Sequence, residues 1–219
     1  MKPIKYCIFD FDGTLANSQF FWQTVVLRIL QERGCPATEE DFELCITLSA
    51  EERWAHFARR FSLTDADRPS VEEIYAHIDR FYQTEVQWKE GVTEFLSWLK
   101  ERGIVTALFS ATPLEVLRHG VEKLGGTSYF DYIFSTSQSG VGKSKPESYR
   151  YCLDAMGATP EETVMFEDAA YSMKTAKAMG IYVVAVYEAC KMTEIETIRA
   201  HSDLYVNTLA ECKQKFLEA

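Results

Sequence analysis

The sequence of 219 residues has no run of 18 apolar residues, so nothing in it reads as a membrane span. Its six cysteines, at 7, 35, 45, 152, 190 and 212, form no CxxC pair and no zinc-ligand spacing. Several lie in apolar contexts and read as reduced thiols that pack as small hydrophobes. The four histidines, His56, His77, His119 and His201, show no metal-ligand spacing and are given no catalytic role. Basic charge is scarce. Lys and Arg number 23 against 33 Asp and Glu, a net charge of −10, which argues against a nucleic-acid partner. Lysine is missing altogether between Lys5 and Lys89. There is no internal repeat and no low-complexity segment. Met1-Lys2-Pro3 runs straight into a strand without a signal-peptide h-region, and the cytoplasm is the expected location.

What is present is organised around Tyr6-Cys7-Ile8-Phe9-Asp10-Phe11-Asp12-Gly13-Thr14-Leu15. Residues 6–9 read as a short buried strand between Pro3 and the Gly13 turn. Such a strand gains no stability by ending in two carboxylates. They repel, and desolvating them is costly unless a cation or a proton sits between them. A turn using Asp and Gly is the alternative reading of this stretch taken alone.

Residues 16–88 then read as helices throughout. Phe20, Phe21, Trp22, Val25, Val26, Ile29 and Leu30 mark a first apolar stripe, ended by Gly34-Cys35-Pro36. A second helix starts near Thr38, a third spans about 50–61 with Trp54, Phe57 and Phe61 on one face, and a fourth spans about 71–86. The aromatic stripe of the third is expected to be core. From Gly91 the grammar alternates. Helices are expected at 91–102, 113–124, 147–156 and 169–179, and strands at 104–109, 131–135, 163–166, 181–186 and near 204–206. Alternating strands and helices predict an α/β fold: a Rossmann-like parallel sheet with helices on both faces, and a helical bundle inserted after its first strand. The expected division is a core of 1–15 and 89–219 and an insert of 16–88.

In an open parallel sheet the carboxyl ends of all strands face one rim, where ligands bind. The residues that follow the apolar strands are Asp10 and Asp12, Ser110 and Ala111, and Glu167 and Asp168, with Lys145 on a further loop. Singly, Ser110 could be a helix N-cap, the acidic pair could favour a helix N-terminus, and Lys145 could be solvated. Together at one rim they suit metal-assisted phosphoryl transfer. Hard oxygen ligands and water suit Mg²⁺. Without Mg²⁺ and a lysine, an aspartate approaching a phosphate dianion meets a repulsion of roughly 4 kcal/mol per charge pair at about 4 Å and an effective dielectric of about 20.

These motifs resemble those of the haloacid dehalogenase-like hydrolases, in the phosphatase and sugar-phosphate mutase branch with a helical cap. Asp10-Phe11-Asp12-Gly13-Thr14, Phe109-Ser110-Ala111-Thr112, Lys145-Pro146 and Phe166-Glu167-Asp168 with Ala176-Lys177-Ala178-Met179-Gly180 look like that family's four motifs, in order. The resemblance implies that Asp10 is the nucleophile forming an aspartyl-phosphate and that Asp12 is the general acid/base. It also implies Mg²⁺ held by Asp10, the main-chain carbonyl of Asp12, Asp168 and Glu167, with Glu167 ligating directly or through water. Ser110, the Ala111 amide and Lys145 are to bind the phosphoryl group; Lys143 is a nearby competitor for the lysine role.

The chain departs from the branch at Ser172 and Glu90, where Gly and Pro are usual, and neither is expected to touch the chemistry. The cap arginine of the mutases is missing from Thr47-Leu48-Ser49-Ala50; Arg53, His56 and Arg60 share a helix face and could substitute, although such a charged face is more often simply solvated. The insert also lacks the Schiff-base lysine of a phosphonatase. The expected function is a Mg²⁺-dependent phosphatase acting on a small phosphorylated metabolite, as a monomer, with hinges near 15–18 and 86–91. A β-phosphoglucomutase-type mutase and a silent binding protein are the alternatives.

Overall fold

The computed structural model describes residues 3–217; positions 1, 2, 218 and 219 of the expected core lie outside the described residues. The first strand, β1 (Tyr6–Phe9), is followed by the four helices of the insert: α1 (Gln19–Glu32), α2 (Glu39–Thr47), α3 (Ala50–Phe61) and α4 (Val71–Thr84). Then come α5 (Val92–Glu101), β2 (Val105–Ser110), α6 (Leu114–Lys123), β3 (Tyr132–Ser135), α7 (Thr136–Ser139) and α8 (Pro146–Met156). The chain continues through β4 (Thr163–Glu167), α9 (Ala170–Ala178), β5 (Tyr182–Val186), α10 (Ile195–His201), β6 (Leu204–Val206) and α11 (Ala210–Leu217). Elements read from the sequence recur within a residue or two. Between β3 and the loop of Lys145 stands the single helical turn α7, capped by Ser135, whose N–H donates to Gln138 Oε1 at 2.9 Å and whose hydroxyl accepts from the Ser137 N–H at 3.3 Å. The tail beyond 186 carries two short helices that the sequence reading did not include.

All six strands run parallel, in the order β3-β2-β1-β4-β5-β6. Strand alternation divides the side chains between two apolar layers. On one face Phe9, Leu108, Phe166 and Val184 pack with α5, α6 and α11 through Phe95, Leu117 and Cys212. On the other Ile8, Ala107, Phe109 and Met165 pack with α8, α9 and α10 through Tyr149, Met173 and Ile198. The strand order reverses between β1 and β4, the point in a doubly wound sheet where a crevice opens beyond the carboxyl ends. Register places Phe9 beside both Leu108 and Phe166. Asp10 therefore emerges next to Glu167, its N–H bonded to the Phe166 carbonyl at 2.9 Å.

The insert has one small core of its own, where Leu27, Leu30, Cys45, Trp54 and Phe57 meet between α1, α2 and α3. Its other face joins the first sheet layer: Phe21, Val25, Ile29, Ile78, Phe81 and Tyr82 belong to the cluster of Phe9 and Phe11. Helix α4 can lie close on α6 because position 120 is glycine; a Cβ there would stand 2.6 Å from Cδ1 of Tyr82. The chain leaves and re-enters side by side, with Ala16 bridging Trp88 and the Asn17 N–H donating to the Gln87 carbonyl at 3.1 Å.

Across the α4–α6 contact, Asp79 pairs with His119 at 2.6 Å, with Gln83 beside both. The hydrogen bond to Asp79 leads in raising the His119 pKa, with Glu115 and Glu122 adding to it. A raised native pKa means the pair contributes in full below about 6.5, the ordinary histidine value. That contribution is lost as pH climbs through the raised value. We expect the urea-midpoint difference between wild type and His119→Asn to be larger at pH 6 than at pH 9. Because both side chains are partly solvated, the difference stays under about 1 kcal/mol.

Candidate active site

Asp10 leaves the end of β1 and is buried, as are Glu167 and Asp168 at the end of β4. One oxygen from each of the three lies within 4.8 Å of the others. Lys143, 2 % exposed, reaches them from the loop before α8. Its Nζ donates to Asp10 Oδ1 and, at 3.1 Å, to Glu167 Oε1, and it lies 5.1 Å from the centre of the Phe109 ring. Burial works against the Lys143 charge, but Asp10 and Glu167 outweigh it and its pKa rises. Burial also works to raise Glu167. Lys143, Ser172, Asp168 and the Ala169 N–H prevail, and its carboxyl falls below the ordinary range. The N–H groups of Asp168 and Ala169 donate to its Oε2 at 2.8 and 3.2 Å. Asp10 and Asp168 are both pushed up, first by burial and next by the Glu167 charge.

Lys145 is not at the site. It is exposed, and it is the N-cap of α8 with Pro146 in the first turn. A residue before proline is held extended, and here φ is −117° and ψ 132°. The turn closed by the Lys145 N–H on the Gly142 carbonyl, 3.0 Å, turns the chain between them, and Lys143 is the lysine that goes inward. The Lys145 placement is corrected to Lys143. A second correction concerns Ser172, whose hydroxyl lies 2.6 Å from that of buried Tyr149 and which helps to hold Glu167. The serine therefore does reach the site.

Asp12 stands apart from the other carboxylates. Its Oδ1 accepts from Ser18 at 2.6 Å, Trp22 Nε1 at 3.1 Å and the Tyr82 hydroxyl. Its Oδ2 accepts from Ser110 at 3.1 Å and Thr112 at 2.7 Å. The Ser110 hydroxyl is thus committed to Asp12 and also accepts from the Thr112 N–H at 3.0 Å. The Asp12 carbonyl points the other way and accepts from Gln19 Nε2 at 3.0 Å, which reaches Asp168 Oδ2 at 3.3 Å as well. Ala111 lines the cleft together with Asp10, Asp12, Ser110, Glu167 and Asp168. Gln19, Ala169, Tyr171 and Lys191 complete the lining and were missed in the sequence, where Thr112 stood within the second motif but was given no role. Thr112 could have been read from its place two residues beyond the strand-ending Ser110; the others have no local signal.

Three buried carboxylates here, Asp10, Glu167 and Asp168, cluster about one buried lysine. The excess negative charge, the all-oxygen donor set and the close approach of Asp10, Glu167 and Asp168 fit a hard divalent cation such as Mg²⁺. Glycine at 13 is what lets the first loop close on them. Its φ is +87°, and a Cβ would stand 2.5 Å from both Asp168 Oδ2 and Gln19 Cγ. Gly13→Ala is expected to lower stability by about 1–3 kcal/mol from backbone strain alone. It should also weaken Mg²⁺ binding; thermal melting and calorimetric titration with Mg²⁺ check the two effects.

A doubly wound sheet with acidic residues at its switch point is an architecture in which α/β proteins place a ligand site. The sequence matches the haloacid dehalogenase-like hydrolase family over residues 7–186, and the chain belongs to that family. It is 26 % identical over 174 residues to a phosphorylated carbohydrates phosphatase of Thermotoga maritima, covering 80 % of this chain and 81 % of the relative. It is 26 % identical over 190 residues to hexitol phosphatase B of Escherichia coli K12, covering 84 % of each. Among solved structures, a hydrolase of the same family from Deinococcus radiodurans with bound phosphate and sodium superposes with a TM-score of 0.77 at 21 % identity, covering 100 % of this chain and 97 % of the other.

Proposed function

We propose that the protein is a Mg²⁺-dependent phosphatase of small phosphomonoesters, of the sugar-phosphate or phosphoglycolate type, working through an aspartyl-phosphate. The observation that carries this is the buried Asp10 carboxylate with Lys143 on one oxygen, beside Glu167 and Asp168, in the switch-point crevice. The carbohydrate-phosphate activity of two relatives supports the substrate class.

An oxygen of Asp10 attacks phosphorus, and the bond from phosphorus to the leaving oxygen breaks. Asp12 gives that oxygen its proton, then takes one from the water that attacks the same phosphorus. The bond to Asp10 breaks and inorganic phosphate leaves. Lys143 and the N–H groups beyond β2 hold the phosphoryl oxygens. Asp10, Asp168, the Asp12 carbonyl and Glu167, directly or through water, would hold Mg²⁺. When bound, Mg²⁺ supplies the positive charge that lets an anionic nucleophile approach an anionic ester. The insert acts as a cap over the cleft.

One observation favours hydrolysis over phosphate transfer between sugars. Arg60 pairs with Asp41 at 2.8 Å, His56 faces the same carboxylate at 4.0 Å, and Arg53 donates to the Cys45 carbonyl at 2.6 Å. These cations are engaged within the insert and do not form a clamp for a second phosphate. The test is phosphate release from a panel of monoesters with Mg²⁺ and with EDTA. Release that needs Mg²⁺ supports the reading. Isomerisation of a sugar phosphate that needs a bisphosphate primer, without net release, would replace it with the mutase.

A further inference from the structure

The two oxygens of Asp12 are held from opposite sides. Ser110 and Thr112, at the end of β2 and just beyond it, hold Oδ2. Oδ1 is held from the insert, by Ser18 before α1, Trp22 within α1 and Tyr82 within α4. Trp22 Nε1 also donates to the Tyr82 hydroxyl at 3.0 Å, which ties the two helices to each other at that oxygen. Tyr82 is fully buried, 5.7 Å from the Phe11 ring centre to centre, and its ring lies over Gly120. A buried tyrosine hydroxyl and a tryptophan N–H each need a polar partner. Among apolar neighbours that include Phe21, Val25, Ile78 and Phe81, both share the Asp12 carboxylate as a partner. Neither residue lines the cleft that holds Asp10 and Asp168.

We propose that Trp22 and Tyr82 are positioning residues for Asp12, so that the seating of α1 and α4 on the core sets the proton-transfer step. This rests on the phosphatase reading, in which Asp12 gives a proton to the leaving oxygen and recovers one from water. With both residues in place the carboxyl is held for that exchange. With those two donors removed, Ser18 alone holds Oδ1 and the carboxyl is less firmly oriented, while the contacts of Asp10 with Lys143 are untouched.

The test compares an alkyl phosphate, whose leaving oxygen needs a proton, with 4-nitrophenyl phosphate, whose leaving oxygen does not. Tyr82→Phe is expected to lower kcat/KM, which reports the steps through loss of the leaving oxygen, at least about tenfold on the alkyl ester and less than about twofold on the aryl ester, while kcat, which includes the attack of water that Asp12 also assists, falls on both. Trp22→Phe should act in the same direction. Equal losses of kcat/KM on both esters, or none on the alkyl ester, would overturn the proposal. A second readout does not depend on turnover. The Trp22 indole N–H should exchange with solvent at least about tenfold faster in Tyr82→Phe and Asp12→Ala than in wild type, as a clasped N–H would. Equal exchange in all three overturns the proposal too. A wild type that cleaves neither ester sinks the phosphatase reading, and the exchange rates then judge the clasp by themselves.

Discussion

Asp10→Asn is expected to lower kcat roughly 10⁴-fold or more, the scale seen when a covalent nucleophile is removed. An amide nitrogen or carbonyl cannot take the phosphoryl group as a carboxylate does. The same substitution should leave the fold intact. Burial and then Glu167 raise the Asp10 carboxyl in the folded state, against the pull of Lys143. A carboxyl raised on folding binds protons more tightly in the native state, so the native state loses stability as pH rises from about 4 toward the raised value. At pH 7 without metal, Asp10 is therefore a cost, and asparagine removes it. Lys143 keeps Glu167 as a partner. Urea unfolding in EDTA should find the variant as stable as wild type or more so. Retention of kcat within tenfold of wild type would show that Asp10 is not the nucleophile.

Lys143→Met and Lys145→Met should differ by more than their two-residue separation suggests. Lys143 is the buried cation between Asp10 and Glu167. Removing one partner of a buried ion pair leaves the other charge uncompensated, which costs about 3–5 kcal/mol. Methionine at 143 should therefore lower the urea midpoint sharply at neutral pH, and with it kcat by roughly 10²–10³-fold. Excess Mg²⁺ should restore part of the stability and little of the rate. Lys145 is exposed, and its replacement should change stability by less than about 0.5 kcal/mol. Kinetics and unfolding of the two variants, side by side, decide the assignment. A larger loss at 145 would mean that the loop before α8 is turned the other way.

The first strand and the carboxylates beyond it could be read from residues alone. A buried apolar run that ends in Asp10 and Asp12 has few stable explanations, and β4 repeats the pattern with Glu167 and Asp168. The lysine could not be read in the same way. Lys143 and Lys145 share one Gly/Ser/Lys loop, and the pairing with Pro146 marks where α8 begins, not which lysine turns inward. That choice is made by the turn closed between Gly142 and Lys145. The partners of Asp12 were hidden for another reason. Trp22 and the α4 helix that carries Tyr82 were read through apolar periodicity, which counts a ring as core and is blind to the N–H or O–H at its tip. They lie 10 and 70 residues from Asp12, and only the packing of α1 and α4 brings them together. Helices α10 and α11, of 7 and 8 residues, are too short for a periodic stripe to stand out.

The central place of β1 has a consequence for how the protein is made. This strand is translated before its neighbours β2 and β4, which lie about a hundred and about 160 residues further on. At about 5–20 residues per second, the ribosome takes about 8–30 s after β1 to complete β4. Until β2 is made Cys7-Ile8-Phe9 has no strand partner, and until β4 is made one of its edges stays open, as in segments that nascent chains join to one another. Asp10 and Asp12 flank it as charged gatekeepers. The residues proposed to carry the chemistry of the finished enzyme thus also set negative charge beside an apolar segment of the unfinished chain, where such charge opposes association.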